Sequence, residues 1–144
     1  MNTYLEADQE SGKRFYQEFN SKGKLVMLNL LKFKAVADYT KLDSIKPKQE
    51  LTGLEAYRLY MEKTLPELEK SGSRIIYFGE SKNFLIGPEQ EVWDAMLLVE
   101  HQSAVAFIAF AQNAEYLKHT GHRAAALEDS RLLPSSEIKG YIHP

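Results

Sequence analysis

His119, His122 and Arg123 lie within five residues of one another and form the most reactive cluster in the chain. A neutral imidazole titrates near working pH and can serve as a general base. A guanidinium offers a planar fork that fits a carboxylate or an enolate. Arg123 follows Tyr116 by seven residues, two helical turns, so the two share a face bordering the apolar side of Leu117 and Ala124. Two histidines three residues apart can share a metal, but no third ligand stands at a recognisable spacing, so no metal site is assigned. On a straight helix His119 sits at the rim of the apolar face and His122 points away. A break at Gly121 would change that, and a plain surface histidine is the other reading of each.

Asn29 is the one polar residue inside Val26-Met27-Leu28-Asn29-Leu30-Leu31. Burying an unpaired amide costs about 1–3 kcal/mol, so it must be hydrogen-bonded. It is either a satisfied core amide or a donor that polarises a substrate carbonyl. Trp93 and Asp94 are neighbours on a strand and therefore face opposite sides of a sheet. Trp93 reads as core filler or as an aromatic pocket wall. Asp94, if buried, needs a partner, and Arg123 or His122 would supply one. Tyr57 and Tyr60 recur at helical spacing, Tyr57 on the core stripe and Tyr60 on its flank. They read as packing, or as apolar walls with hydroxyl handles.

The elements that position these residues follow from periodicity. Residues 8–20 predict a leading helix with Phe15, Tyr16 and Phe19 on one side, so residues 1–22 read as an extension and 23–144 as the main domain. Lys24 to Phe33 predicts a strand with two apolar faces. Residues 34–52, with four lysines and Pro47, predict a long loop of the kind that forms a lid. Thr52-Gly53-Leu54-Glu55 is a capping box. The helix it opens carries Leu54, Tyr57, Met61, Leu65 and Leu68, kinks at Pro66 and stops at Gly72. Ser73 to Ile86 predicts a strand with a bulge at Gly79, and Glu91 to Glu100 another. Ser103 and Asn113 each cap a helix. Arg131 to Ile138 predicts a last strand, confined by Pro134 to an edge or a bulge. The order βαββαβ is the ferredoxin-like arrangement, an α+β fold. Helices cover one face of such a sheet. The second apolar face calls for the same sheet of another copy, hence a homodimer.

Composition narrows the function. The 144 residues suit one domain, and the absence of cysteine removes disulfides, thiolate nucleophiles and Cys-based metal sites. Eighteen basic and twenty acidic residues give a net charge of −2, so no basic field exists for nucleic acid. The longest apolar run, Ala104–Ala111, is far short of the roughly 20 residues that cross a bilayer. The acidic start predicts no secretory signal, and the expected location is cytoplasmic. Nucleotide-binding and common hydrolase motifs are missing.

The run Val26 to Phe33, Tyr57-x-x-Tyr60 with Pro66 and Gly72, Trp93-Asp94, Ser103, Phe107, and Glu115-Tyr116 with Arg123 resemble an uncharacterised family of dimeric α+β barrel proteins. The resemblance covers residues 24–134. That family looks related to small antibiotic-biosynthesis monooxygenases and haem-degrading enzymes of the same fold. The resemblance implies a dimeric α/β barrel, favours His122 beside Arg123 over His119, and makes Asn29 suggestive, because related oxygenases use a first-strand Asn on an oxygen species. Two functions follow as expectations. One is a cofactor-independent, oxygenase- or isomerase-like enzyme acting on a small carbonyl or aromatic compound, with Asn29 and Arg123 on the oxyanion. The other is a non-catalytic dimer that binds a small molecule. Haem binding through His119 or His122 is a third reading, by analogy of fold alone.

Overall fold

The computed structural model describes residues 2–140. The elements run α1 (Gln9–Phe19), β1 (Leu25–Phe33), α2 (Gly53–Lys70), β2 (Arg74–Glu80), β3 (Ala95–His101), α3 (Ala104–Ala111), α4 (Ala114–Leu117), α5 (Thr120–Ala126) and β4 (Leu127–Ser135). The four strands form one antiparallel sheet in the order β2-β3-β1-β4, which is the ferredoxin-like topology expected from the sequence.

Strand β1 is central, and its alternation decides what each face holds. Leu25, Met27 and Leu31 are buried on the side that meets the helices, joined there by Ala95, Leu97 and Val99 of β3. The residues between them build the other face. In register across the sheet stand Tyr77, Leu98, Leu28 and Leu133, and beside them Met96 opposite Leu30. This second face is largely apolar and no described helix covers it; Tyr77 is 52% exposed and Leu133 61%.

The Thr52–Glu55 capping box forms as expected and α2 continues through Pro66 to Lys70. Its buried stripe is Gly53, Ala56, Tyr57, Tyr60, Thr64 and Leu68, whereas the expected core residues Leu54 and Leu65 are exposed. Tyr60 therefore belongs to the core and not to a flank. The cause lies at the start of α2. Gly53 abuts the backbone of Lys34 and Ala126, and this close approach turns both tyrosines inward.

Four other expectations change. The bulge in β2 lies between Ile75 and Tyr77 instead of at Gly79, and it puts Ile75 and Phe78 both against the core. Strand β2 ends at Glu80 and β3 begins at Ala95, shorter than the expected Ser73–Ile86 and Glu91–Glu100. Between them Ser81 N–H donates to the Asp94 carbonyl and an Asn83–Val92 bridge forms, and Leu85 and Ile86 are almost fully exposed. Strand β4 starts four residues early, at Leu127, with Pro134 near the end of this edge strand. Segment 34–52 is no free lid. Lys34 N–H and Asp38 N–H donate to Ala126 and Ala125 carbonyls at 2.8 and 2.9 Å, and Tyr39, Leu42 and Ile45 pack against the core.

Helix α1 is capped by Asp8, whose carboxylate accepts from Ser11 N–H. It lays Phe15 and Phe19 on Leu25, Met27, Ala104 and Phe107, a small second core at one end of the molecule. No described helix is long and apolar enough to cross a membrane.

Candidate functional site

The helical segment after Asn113 breaks at Lys118–His119, two residues before Gly121, and this decides the positions of the histidines. Gly121 lies inside α5, where Ile45 presses against it. The buried face of α5 is His122, Ala125 and Ala126; Leu117 and Ala124 are exposed, so they do not form the expected apolar side. His119 is half-buried at the N-cap of α5 and makes no capping bond. His122 is 4% exposed, and its Nδ1 lies 2.7 Å from the Tyr39 hydroxyl. Burial, with Lys63 and His119 nearby, pushes the His122 imidazole below its ordinary value and keeps it neutral.

Arg123, the next residue, turns toward β4 and the N-terminal segment. One guanidinium nitrogen donates to the Leu5 carbonyl at 2.6 Å and another to Ser130 Oγ at 3.3 Å. Among the described residues it has no carboxylate partner. It stands close enough to Tyr57 to oppose the effect of burial, which raises the Tyr57 hydroxyl far above the ordinary tyrosine value. Tyr57 is 1% exposed and packs with Phe33, Tyr60 and Phe78 at ring separations of 5.3–6.2 Å. The Tyr60 hydroxyl meets that of Tyr116 at 2.7 Å.

Asn29 shares the helix-facing side of the sheet with Leu31, opposite Leu97 and Leu132. Its amide nitrogen donates to the carbonyls of Leu97 at 3.2 Å and Met27 at 3.4 Å. Both N–H groups are thereby used, so the side chain has only its oxygen left to offer, as an acceptor. A role as oxyanion donor does not follow from this geometry. Asp94 is exposed and accepts from Phe33 N–H at 2.8 Å; it pairs with neither Arg123 nor His122. A turn-like exposed carboxylate at the strand end needs no charged partner. Trp93 is buried outside both apolar clusters, against the Arg131 guanidinium, 4.9 Å from its ring. The structure thus brings Tyr57, Tyr60 and Arg123 together, with Asn29 on the same side of the sheet; Asp94 and Trp93 lie outside the cluster of Tyr57 and Tyr60, and within it Tyr39 is bonded to His122.

His122 is closed in and bonded to Tyr39, and a groove of about 500 Å³ on the outer side of α2 is lined by none of the candidate residues. Among the described residues no three potential metal ligands cluster.

Two groups were not singled out by sequence. His101 is 2% exposed, with rings of Phe107 and Phe110 at 5.0 and 5.8 Å and Ser73 Oγ 2.7 Å from Nδ1. It continues the alternation Ala95, Leu97, Val99, and that period of two was the available signal. Arg131 lies between the rings of Tyr4 and Trp93 and bonds Asp129 at 2.7 Å.

No family model matches the chain, and no curated protein is significantly similar to it. A solved structure of a protein of unknown function from Rhodopseudomonas palustris is 30% identical, covers 96% of this chain and 99% of its own, and superposes with a TM-score of 0.82. The chain belongs to the same family as that protein. A methylated form of the same relative superposes at 0.83, with 30% identity over 98% of this chain and 99% of its own. A dimeric protein of unknown function and ferredoxin-like fold from Bacteroides fragilis is 14% identical over 80% of this chain and 97% of its own, with a TM-score of 0.43.

Proposed function

We propose that this family member is a homodimeric small-molecule-binding protein that holds a small organic acid or carbonyl compound at Arg123. The observation that carries this is a half-buried guanidinium whose described hydrogen-bond partners are all neutral oxygens. A buried charge without a counter-charge is costly, and an anionic oxygen would relieve it with bonds about twice as strong as neutral ones. The aromatic group around Tyr57 suits a flat or branched apolar body. An oxygenase- or isomerase-like reaction would require a base at the same place, but His122 is bonded to Tyr39 and Asp94 to Phe33 N–H, so the geometry favours binding over turnover. The lack of cysteine suits a reducing compartment such as the cytoplasm.

The test is calorimetric titration with benzoate and phenylacetate against their uncharged amides. A charge-assisted bond worth about 1.5–3 kcal/mol corresponds to roughly 10- to 150-fold in affinity. The acids are expected to bind, the amides at least tenfold more weakly, and Arg123→Gln is expected to erase the difference while the circular dichroism spectrum stays native. Equal binding of acid and amide would defeat the proposal.

The dimer rests on the second sheet face. Leu28, Leu30, Met96, Leu98, Tyr77 and Leu133 form one apolar surface there, of the kind a two-fold partner covers. The native chain is expected to sediment as a dimer at low micromolar concentration, and Leu98→Glu as a folded monomer. A native monomer would refute it.

A further inference from the structure

The Arg123 site already has an occupant, the chain's own N-terminal arm. Residues 2–7 precede the Asp8 cap of α1, and no strand pairs with them. Side chains hold them instead. Asp129 accepts from Tyr4 N–H at 2.8 Å, Ser130 Oγ donates to the Tyr4 carbonyl, and Arg123 donates to the Leu5 carbonyl. Of these residues only Leu5 is even partly buried, and it packs against the core cluster that contains Tyr57 and Leu127. An apolar branched side chain and a carbonyl oxygen, both from Leu5, thus fill the place beside Arg123.

We propose that the arm is a built-in competitor, and that small carboxylates with a branched apolar tail bind by displacing it. This rests on the ligand-binding reading of Arg123 given above. The carboxylate takes the place of the Leu5 carbonyl on the guanidinium, and the apolar tail takes the place of the Leu5 side chain. A charged acceptor on Arg123 is the stronger bond, so the exchange is favoured once ligand is present. The anchored start of α1 keeps the released arm near the site. If the arm is docked about nine-tenths of the time, the apparent dissociation constant is raised about tenfold over that of the open site.

Trp93 reports the exchange, because the Arg131 guanidinium that lies on it also lies 4.8 Å from the Tyr4 ring, and Trp93 is the single tryptophan. The probe is 4-methylpentanoate, which carries the leucine side chain on a carboxylate, titrated into the full chain, Leu5→Gly and Tyr4→Gly. Tyr4 is 54% exposed, so the second variant keeps the core intact even where Leu5→Gly opens it. In the native chain a saturable change in Trp93 emission is expected, with faster hydrogen exchange at the Tyr4 amide. Both variants are expected to bind about tenfold more tightly, with binding lost in Arg123→Gln. Equal, Arg123-dependent affinity in all three, with the Tyr4 amide still protected, leaves the site standing and overturns the role of the arm. Absence of Arg123-dependent binding in all three overturns both.

Discussion

Gly53→Ala is expected to destabilise the protein by about 3 kcal/mol, lowering its melting temperature by roughly 10 °C. A Cβ at this position would meet backbone on every near side: the Lys34 carbonyl oxygen, the Lys34 nitrogen at 2.7 Å and the Ala126 carbonyl oxygen at 2.8 Å. These atoms are not free to yield. Gly53 N–H donates to the Lys34 carbonyl, and Lys34 N–H donates to Ala126 at the junction of α5 and β4. Alanine favours a helix over glycine by about 1 kcal/mol, so the clash must overcome that gain. Three backbone contacts against one methyl decide the sign. Gly12, inside α1 with nothing within 4 Å of its Cβ direction, separates the two effects. There the same substitution is expected to stabilise by about 0.5–1 kcal/mol. Thermal melts of both variants check the pair. A neutral Gly53→Ala would mean that α2 does not set the position of Tyr57 and Tyr60 through this contact.

That contact shows why the fold was more legible in the sequence than the site. Two-sided apolar alternation in β1 and β3, the Thr52 capping box and the Ser103 and Asn113 caps are local signals. They determined element order and topology. The rotation of α2 about its axis depends on a segment 19 residues upstream and another 73 downstream, Lys34 and Ala126, so no periodicity within α2 could show that Tyr60 is core and Leu54 exposed. The same holds for Arg123. Helical spacing placed it beside Tyr116, but its bonds run to Leu5 and Ser130, one of them 118 residues away. Asp94 was expected to need a partner such as Arg123 or His122 if it was buried. Strand β3 begins only at Ala95, and a residue before the strand escapes the burial that the alternation predicts. His101 is the opposite case: the predicted strand stopped at Glu100, one residue short of it, although the period of two runs on to place it inside.

His101 is expected to make stability fall in mild acid by about 3 kcal/mol between pH 7 and pH 4. Burial among Phe107 and Phe110 pushes its imidazole from 6.5 down to about 4. The unfolded chain therefore binds a proton near pH 6.5 that the folded chain refuses until about pH 4. Protons bound in the unfolded state exceed those in the folded state across this window, so stability is full above pH 6.5 and is lost as the pH falls toward 4. The hydrogen bonds nearby fix which nitrogen carries the neutral ring's proton. Ser71 Oγ donates its one hydrogen to the Leu68 carbonyl at 2.7 Å, so in the 2.9 Å contact between the two serines Ser73 must be the donor. Ser73 has then no hydrogen left for His101, and Nδ1–H must donate to Ser73 Oγ at 2.7 Å. The ring is held as the Nδ1–H tautomer, with Nε2 bare and facing its second protonation in an aromatic surrounding. His101→Gln retains an amide donor and removes the titration. Melts of both proteins at pH 7, 5.5 and 4 are expected to diverge as the pH falls, the native chain losing about 3 kcal/mol more than the variant. Parallel curves would show that the buried ring accepts its proton as readily as a solvated one.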